Sequence, residues 1–314
     1  MPTVVPAAAT PGPLNSTTDR LRPVQVPAWF RTGFRVAGTV APGAAARLAR
    51  RLFFTPPRAP LRDEERAMLA CGEPFTLDVG GERVAGRAWG EGPTVLLAHG
   101  WGGHAGQMTP LVGPVVAAGF RAVAIDLPGH GESSGRVSSL VHFAAALERA
   151  AALWKPVSGL VAHSFGAAAC TYAMSRGMAV GRAVFFAPPA RFDSFWARFR
   201  MGVGVSDEVW RRMLTATERW LGLRFEGIAP IDLAPRMTVP LLVMVDPGDR
   251  EILFEEAVEL AGRWPGAVLK RAEGLGHLRI LRDAGCVGAA VEFLGGESPR
   301  TSGKPDFGVA GSRA

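Results

Sequence analysis

The chain has 314 residues, 48% of them hydrophobic and 20% charged, which suits a packed core and excludes wholesale disorder. Its 35 Lys and Arg outnumber 28 Asp and Glu, a formal charge of +7, and residues 1–72 carry +6 of it as ten arginines against four acids. The rest of the chain is close to neutral and has no basic stripe interleaved with aromatics, so a nucleic-acid partner for the body of the protein is excluded.

Residues 1–25 are rich in Pro, Ala and Thr and are expected to be disordered. They lack a basic segment followed by an apolar one, so no secretory signal is expected. Cys71, Cys170 and Cys286 are odd in number and far apart, which predicts neither a disulfide framework nor a zinc site. The expected setting is cytoplasmic. No run of about 18 apolar residues predicts a membrane span.

Residues 1–72 read as a basic N-terminal extension. Segment 43–54, GAAARLARRLFF, has helical periodicity, and Pro56, Pro57 and Pro60 end it. The first expectation is a helix packed on the main domain. The alternative is contact of residues 29–54 with a membrane surface.

From residue 73 to 295 the pattern changes. Segments 75–79 and 83–89 flank Gly80-Gly81 and read as a hairpin. Apolar runs follow at 94–98, 121–125, 158–162, 182–187, 240–245 and, more weakly, 267–271. Such runs suit strands buried on both faces of a parallel sheet. Helical segments at 105–118, 139–154, 165–177 and 252–264 lie between them. This alternation predicts an α/β fold with a mostly parallel, doubly wound sheet. The interval 188–238 holds no strand. Segments 191–201 and 206–222 read as helices of a small cap inserted over one end of the sheet, with Ser206 as the N-cap of the second. Residues 296–314 read as a disordered tail.

Segment 160–166, LVAHSFG, runs a buried strand into Ser164 and then into a small-residue helix. That is the pattern of a nucleophile elbow, with Ala162 where glycine is usual. The hydroxyl needs a base, and the base needs an acid to orient it. His277 lies in a glycine-flanked loop after the last strand. Asp249 lies in VDPGDRE, beyond the run 240–245. Asp246 and Asp193 compete for the acid role, and Asp249 is favoured because it lies deeper in its loop. Segment 98–103, AHGWGG, can aim the Trp101 amide at the same point as the Phe165 amide, making an oxyanion hole.

HGWGG at 99–103, DLPGHGES at 126–133, AHSFG at 162–166, DPGD at 246–249 and GH at 276–277 together resemble the α/β-hydrolase superfamily over residues 75–295. The opening motif and RLFFTP at 51–56 look like bacterial serine hydrolases. The resemblance implies a Ser164–His277–Asp249 triad. It also implies that His99, His130 and His163 shape turns and transfer no protons, with Asp126 and His130 holding the next loop. Relatives that cleave carbon–halogen bonds or epoxides carry Asp at the elbow, so Ser164 disfavours those reactions.

The expected activity is therefore hydrolysis of a small-molecule carboxylic ester, with no cofactor and no metal. Thioester hydrolysis, cofactor-free haloperoxidase-like or lyase chemistry, and a non-catalytic binding role are the alternatives. Trp101, Trp196, Phe199 and Trp210 are the expected walls of an apolar acyl pocket. The competing expectation is that the cap aromatics pack onto the sheet domain.

Overall fold

The computed structural model describes residues 24–296; the disorder expected of residues 1–25 and 296–314 falls outside them except at residues 24, 25 and 296, and the Val24 amide donates to Arg198 O at 3.2 Å. The sheet consists of β1 (Glu73–Val79), β2 (Glu82–Trp89), β3 (Thr94–Ala98), β4 (Arg121–Ile125), β5 (Val157–His163), β6 (Arg182–Phe186), β7 (Leu241–Val245) and β8 (Val268–Arg271). Their order across it is β1-β2-β4-β3-β5-β6-β7-β8. Strand β2 runs against both neighbours, and every other pairing from β4 to β8 is parallel.

The helices are α1 (Ala28–Val40), α2 (Pro42–Phe54), α3 (Asp63–Ala70), α4 (Val112–Ala117), α5 (Leu140–Leu153), α6 (Phe165–Ser175), α7 (Asp193–Val203), α8 (Asp207–Leu221), α9 (Pro230–Leu233), α10 (Phe254–Arg263), α11 (Gly276–Arg279) and α12 (Ala284–Leu294). Helices α5, α6 and α10 cover one face of the sheet, and α4 and α12 cover the other. Alternate residues of β3 serve the two sides: Leu96 and Ala98 enter one core, Val95 and Leu97 the other. With both faces covered, neither residue set can be polar, which is why these strands are uninterrupted apolar runs.

Helices α7 and α8 stand between β6 and β7. Ser206 caps α8 by accepting from the Val209 amide, and Gly222 ends it in the left-handed conformation at φ 66°. The entry to the insertion is fastened to α10. The buried Glu256 carboxylate accepts from the amides of Ala190 and Arg191 and from the Ser194 hydroxyl.

The N-terminal helices do not form a separate extension. Phe34, Ala45, Ala46, Ala49 and Phe54 of α1 and α2 share one buried cluster with Phe199, Val203, Val209, Trp210 and Met213 of α7 and α8. Phe53 meets Phe199 edge-on with ring centroids 5.0 Å apart. Ala45, Ala46 and Ala49 are small enough to let α2 lie close against α8. These four helices, drawn from two distant stretches of chain, thus pack as one group beside the expected cap position.

Candidate active site

Strand β5 ends at His163 and helix α6 begins at Phe165, so Ser164 must make the whole reversal alone. It does so at φ 51°, ψ −125°. A side chain there is strained by roughly 1–3 kcal/mol. The turn is held by the Ser164 amide, which donates to the Phe186 carbonyl at 2.9 Å, and by the Ala167 amide, which donates to Ser164 O at 2.9 Å. Gly166 is required by a close approach: a Cβ there would sit 2.4 Å from the His99 carbonyl oxygen. The same crowding brings the 98–103 loop over the elbow. A Cβ on Gly100 would lie 3.0 Å from both Ser164 Cβ and His163 Nδ1.

That loop leaves an amide available next to the serine. The Gly102 amide donates to His130 Nε2 at 3.0 Å, and the Gly103 amide to Gly100 O at 3.1 Å. Among the described residues neither Trp101 N–H nor Phe165 N–H has an acceptor. Phe165 is the first residue of α6, where no helical carbonyl lies four residues back. Both amides are therefore free to bind an oxyanion, and the α6 N-terminus favours negative charge at that point.

Asp249 and His277 are brought together. His277 Nδ1 donates to Asp249 Oδ2 at 2.8 Å. Asp249 Oδ1 accepts from the amides of Glu251 at 2.7 Å and Ile252 at 3.2 Å, which fixes the carboxylate plane. Burial works to raise the Asp249 pKa, but the His277 contact and the two amides outweigh it and hold the carboxyl below its usual value. With Nδ1 committed as donor, His277 Nε2 is the basic lone pair. It lies 3.9 Å from Glu251 Oε2. The Ser164 hydroxyl makes no hydrogen bond to His277 in this arrangement. Catalytic contacts commonly close only when substrate is bound.

Asp246 does different work. It accepts from the amides of Gly248, at 2.7 Å, and Gly276. It thereby ties the two loops that carry Asp249 and His277. Asp193 lies at the start of α7 in the cap, away from this pair.

The histidines of the sequence motifs are braces. His99 bonds Gly100 O at 2.7 Å through Nδ1 and accepts the Leu127 amide at 2.9 Å through Nε2. His130 bonds Pro128 O and holds Gly102. Asp126 accepts from the amides of Ala105 and Glu132 at 2.7 and 2.8 Å. His163, expected from the sequence to shape its turn, also reaches across to the histidine loop. Its Nε2 donates to the His277 carbonyl at 2.9 Å, fastening the histidine loop to the elbow.

Burial holds three of these rings neutral, assisted at His99 by His130 and at His163 by His277. The pKa of His99 falls well below 6.5, that of His130 to about 4 and that of His163 to about 3. In the unfolded chain each protonates near its ordinary value of about 6.5. Below that pH the unfolded state binds more protons, so stability falls as pH drops toward the folded values. Each ring contributes about 1.4 kcal/mol per pH unit over that window. Asp126 and Glu256, whose carboxyls burial pushes up, act in the opposite sense and moderate the slope. The expected result is a urea midpoint that declines steadily between about pH 6.5 and pH 4. A level midpoint across that range contradicts neutral burial of these rings.

The aromatic surroundings differ from the sequence expectation. Phe199 and Trp210 are buried inside the four-helix group, because α1 and α2 supply the apolar surface that packs on them. Trp196 bridges the cap and sheet cores, with rings of Trp210 at 5.7 Å and Phe225 at 5.5 Å. The wall beside the elbow is Trp101 against Phe165 at 5.4 Å and Phe195 against Phe165 at 5.8 Å, with buried Phe143 behind them. Of the four expected pocket residues, Trp101 is the one whose ring meets Phe165 among the described residues.

A family model described as the alpha/beta hydrolase family matches residues 95–289. The chain belongs to the α/β-hydrolase family. The match takes in Trp101, Ser164, Asp249 and His277 and leaves out α1 to α3 and the β1–β2 hairpin. The chain is 35% identical over 107 residues to a serine hydrolase-like protein of Danio rerio, covering 32% of each chain. It is 52% identical over 44 residues to a pimeloyl-[acyl-carrier protein] methyl ester esterase of Methylococcus capsulatus, covering 14% of this chain and 17% of that one. The chain therefore matches about a third and about a sixth of these relatives' lengths. A carboxylesterase structure from Bacillus subtilis superposes with a TM-score of 0.57 at 19% identity, covering 82% of this chain and 99% of that one. At that identity the likeness is one of fold. No described helix is long and apolar enough to cross a membrane.

Proposed function

We propose that the chain is a serine hydrolase that cleaves small carboxylic esters with a short or medium apolar acyl group. The observation that carries this reading is the strained Ser164 turn, set against two acceptor-free amides and the loop that holds the Asp249–His277 pair. The names of the two relatives, a serine hydrolase-like protein and a methyl ester esterase, support it.

His277 Nε2 takes the Ser164 proton as Oγ attacks the ester carbonyl carbon. The carbonyl oxygen becomes an oxyanion held by the Trp101 and Phe165 amides. His277 then returns the proton to the leaving alkoxide as the C–O bond breaks, leaving an acyl group on Ser164. Water attacks that ester with His277 again as base, and the acid is released. Asp249 keeps Nδ1 protonated throughout and stabilises the imidazolium. Trp101, Phe165 and Phe195 offer the acyl chain an apolar wall, and the cap packing of Phe199 and Trp210 keeps that wall small.

A stopped-flow trace with p-nitrophenyl butyrate is expected to show a burst of p-nitrophenol stoichiometric with enzyme. A fluorophosphonate probe is expected to label Ser164 on the intact chain, with turnover declining across a series of longer acyl groups. A folded protein that neither labels nor turns over any aryl ester of the series refutes the reading.

A further inference from the structure

The α1–α2 face of the cap has a composition that packing does not explain. Residues 24–62 hold seven arginines and no acidic residue. Helix α1 carries two apolar rows, about 110° apart around its axis. Phe30 and Phe34 face the cap core. Trp29, Gly33, Val36 and Val40 follow one another at intervals of four, three and four residues, which places them in one row beside that core-facing side. That row is open to solvent: Trp29 is 75% exposed, Val36 59% and Val40 79%. On α2, Leu48 and Leu52 are also exposed, one turn apart.

Arg47 and Arg51 flank the Leu48–Leu52 row on α2, while Arg31 and Arg35 lie on the side of α1 turned to Gly204. Arg31, Arg35, Arg47, Arg50 and Arg51 have no carboxylate partner among the described residues. Between α2 and α8 lies an open groove of about 380 Å³ lined by Arg47, Arg211, Arg212 and Arg219, with Glu208 its only acid. Glu208 is itself engaged by Arg211 and Arg212.

We infer that this face docks the protein on an anionic lipid surface. A wide apolar row with an exposed tryptophan and a fringe of arginines suits the boundary between acyl chains and anionic headgroups. The charge argues against a second copy of the chain. A two-fold interface would set the same unpaired arginines against each other. The inference does not depend on the ester chemistry proposed above.

The test is flotation of the full chain with vesicles of pure phosphatidylcholine and with equal parts phosphatidylcholine and phosphatidylglycerol. Binding is expected with the mixed vesicles at low salt and is expected to be lost with the neutral ones. Arg47→Gln with Arg51→Gln is expected to weaken it about thirtyfold. Trp29→Ser with Val36→Ser and Val40→Ser, all solvent-facing, is expected to weaken it roughly tenfold or more. Circular dichroism and melting of each variant check the fold without any activity measurement. Absence of flotation with mixed vesicles overturns the inference, as does either folded variant binding like the parent. Light scattering that shows a dimer abolished by the serine variant, with no vesicle binding, assigns the face to a second copy instead. An oligonucleotide held by parent and serine variant alike, more tightly than vesicles, also overturns it.

Discussion

Ser164→Ala is expected to lower kcat for an aryl ester by roughly a million-fold while leaving the melting temperature at or above that of the parent. The size follows from what the hydroxyl does. Without Oγ there is no acyl-enzyme, so His277 and Asp249 have nothing to activate, and only the two amides and substrate binding remain. The sign of the stability change follows from the backbone. Alanine keeps the Cβ that already tolerates φ 51° and removes only a hydroxyl that makes no cap bond to α6. Rate assays and a thermal melt on the same preparation separate the two effects. A folded variant with parental turnover removes Ser164 from the mechanism.

The second large effect separates the two aspartates of one loop. Asp249→Asn is expected to lower kcat about ten-thousandfold. Oδ1 must remain an oxygen, because it accepts two backbone amides. The new NH2 group is then forced toward His277 Nδ1, where donor meets donor. The imidazole answers by moving its proton to Nε2, which leaves no lone pair for Ser164. Asp246→Asn is expected to cost at most about a hundredfold, through a slight shift of the loops it joins. It is also expected to lower the urea midpoint, since the amides of Gly248 and Gly276 lose a charged acceptor. Parallel kcat and denaturation measurements decide. A larger kcat loss for Asp246→Asn reverses the assignment.

The parts of the fold that the sequence disclosed are those with short-range rules. Strands β3 to β7 announce themselves because burial on both faces leaves no polar position. The elbow announces itself because one serine between a strand and a small-residue helix has few structural explanations. Helices α1, α3 and α12 are absent from the sequence reading for separate reasons. α1 carries Gly33, Gly38, Thr32 and Thr39 and is held by tertiary packing of Phe30 and Phe34, which no local propensity reports. α3 is short and lies in an extension otherwise read from its charge. α12 is small and apolar around much of its circumference, so it lacks a polar face to give it a period.

The candidate site is legible in sequence as an order of residue types and opaque in its packing. Ser164, Asp249 and His277 stand out by type and position. Phe199 and Trp210 look like pocket aromatics until α1 and α2 are seen to cover them. Phe143 and Phe195, separated from Phe165 along the chain, come beside it only through the folding of α5 and the cap. The His163 bond to His277 O is likewise a contact across 114 positions of sequence that no motif encodes.

The split origin of the cap bears on how the chain assembles. Its two halves emerge from synthesis at different times, with α1 and α2 completed before any strand of the sheet and α7 and α8 only after β6. Until the later pair arrives, the alanine face of α2 has no partner, and afterwards Phe199, Trp210 and Met213 depend on a segment made long before. Closing this cluster is a long-range event, and long-range contacts form slowly. The packing of the two cap halves thus waits on a contact between segments about 150 residues apart.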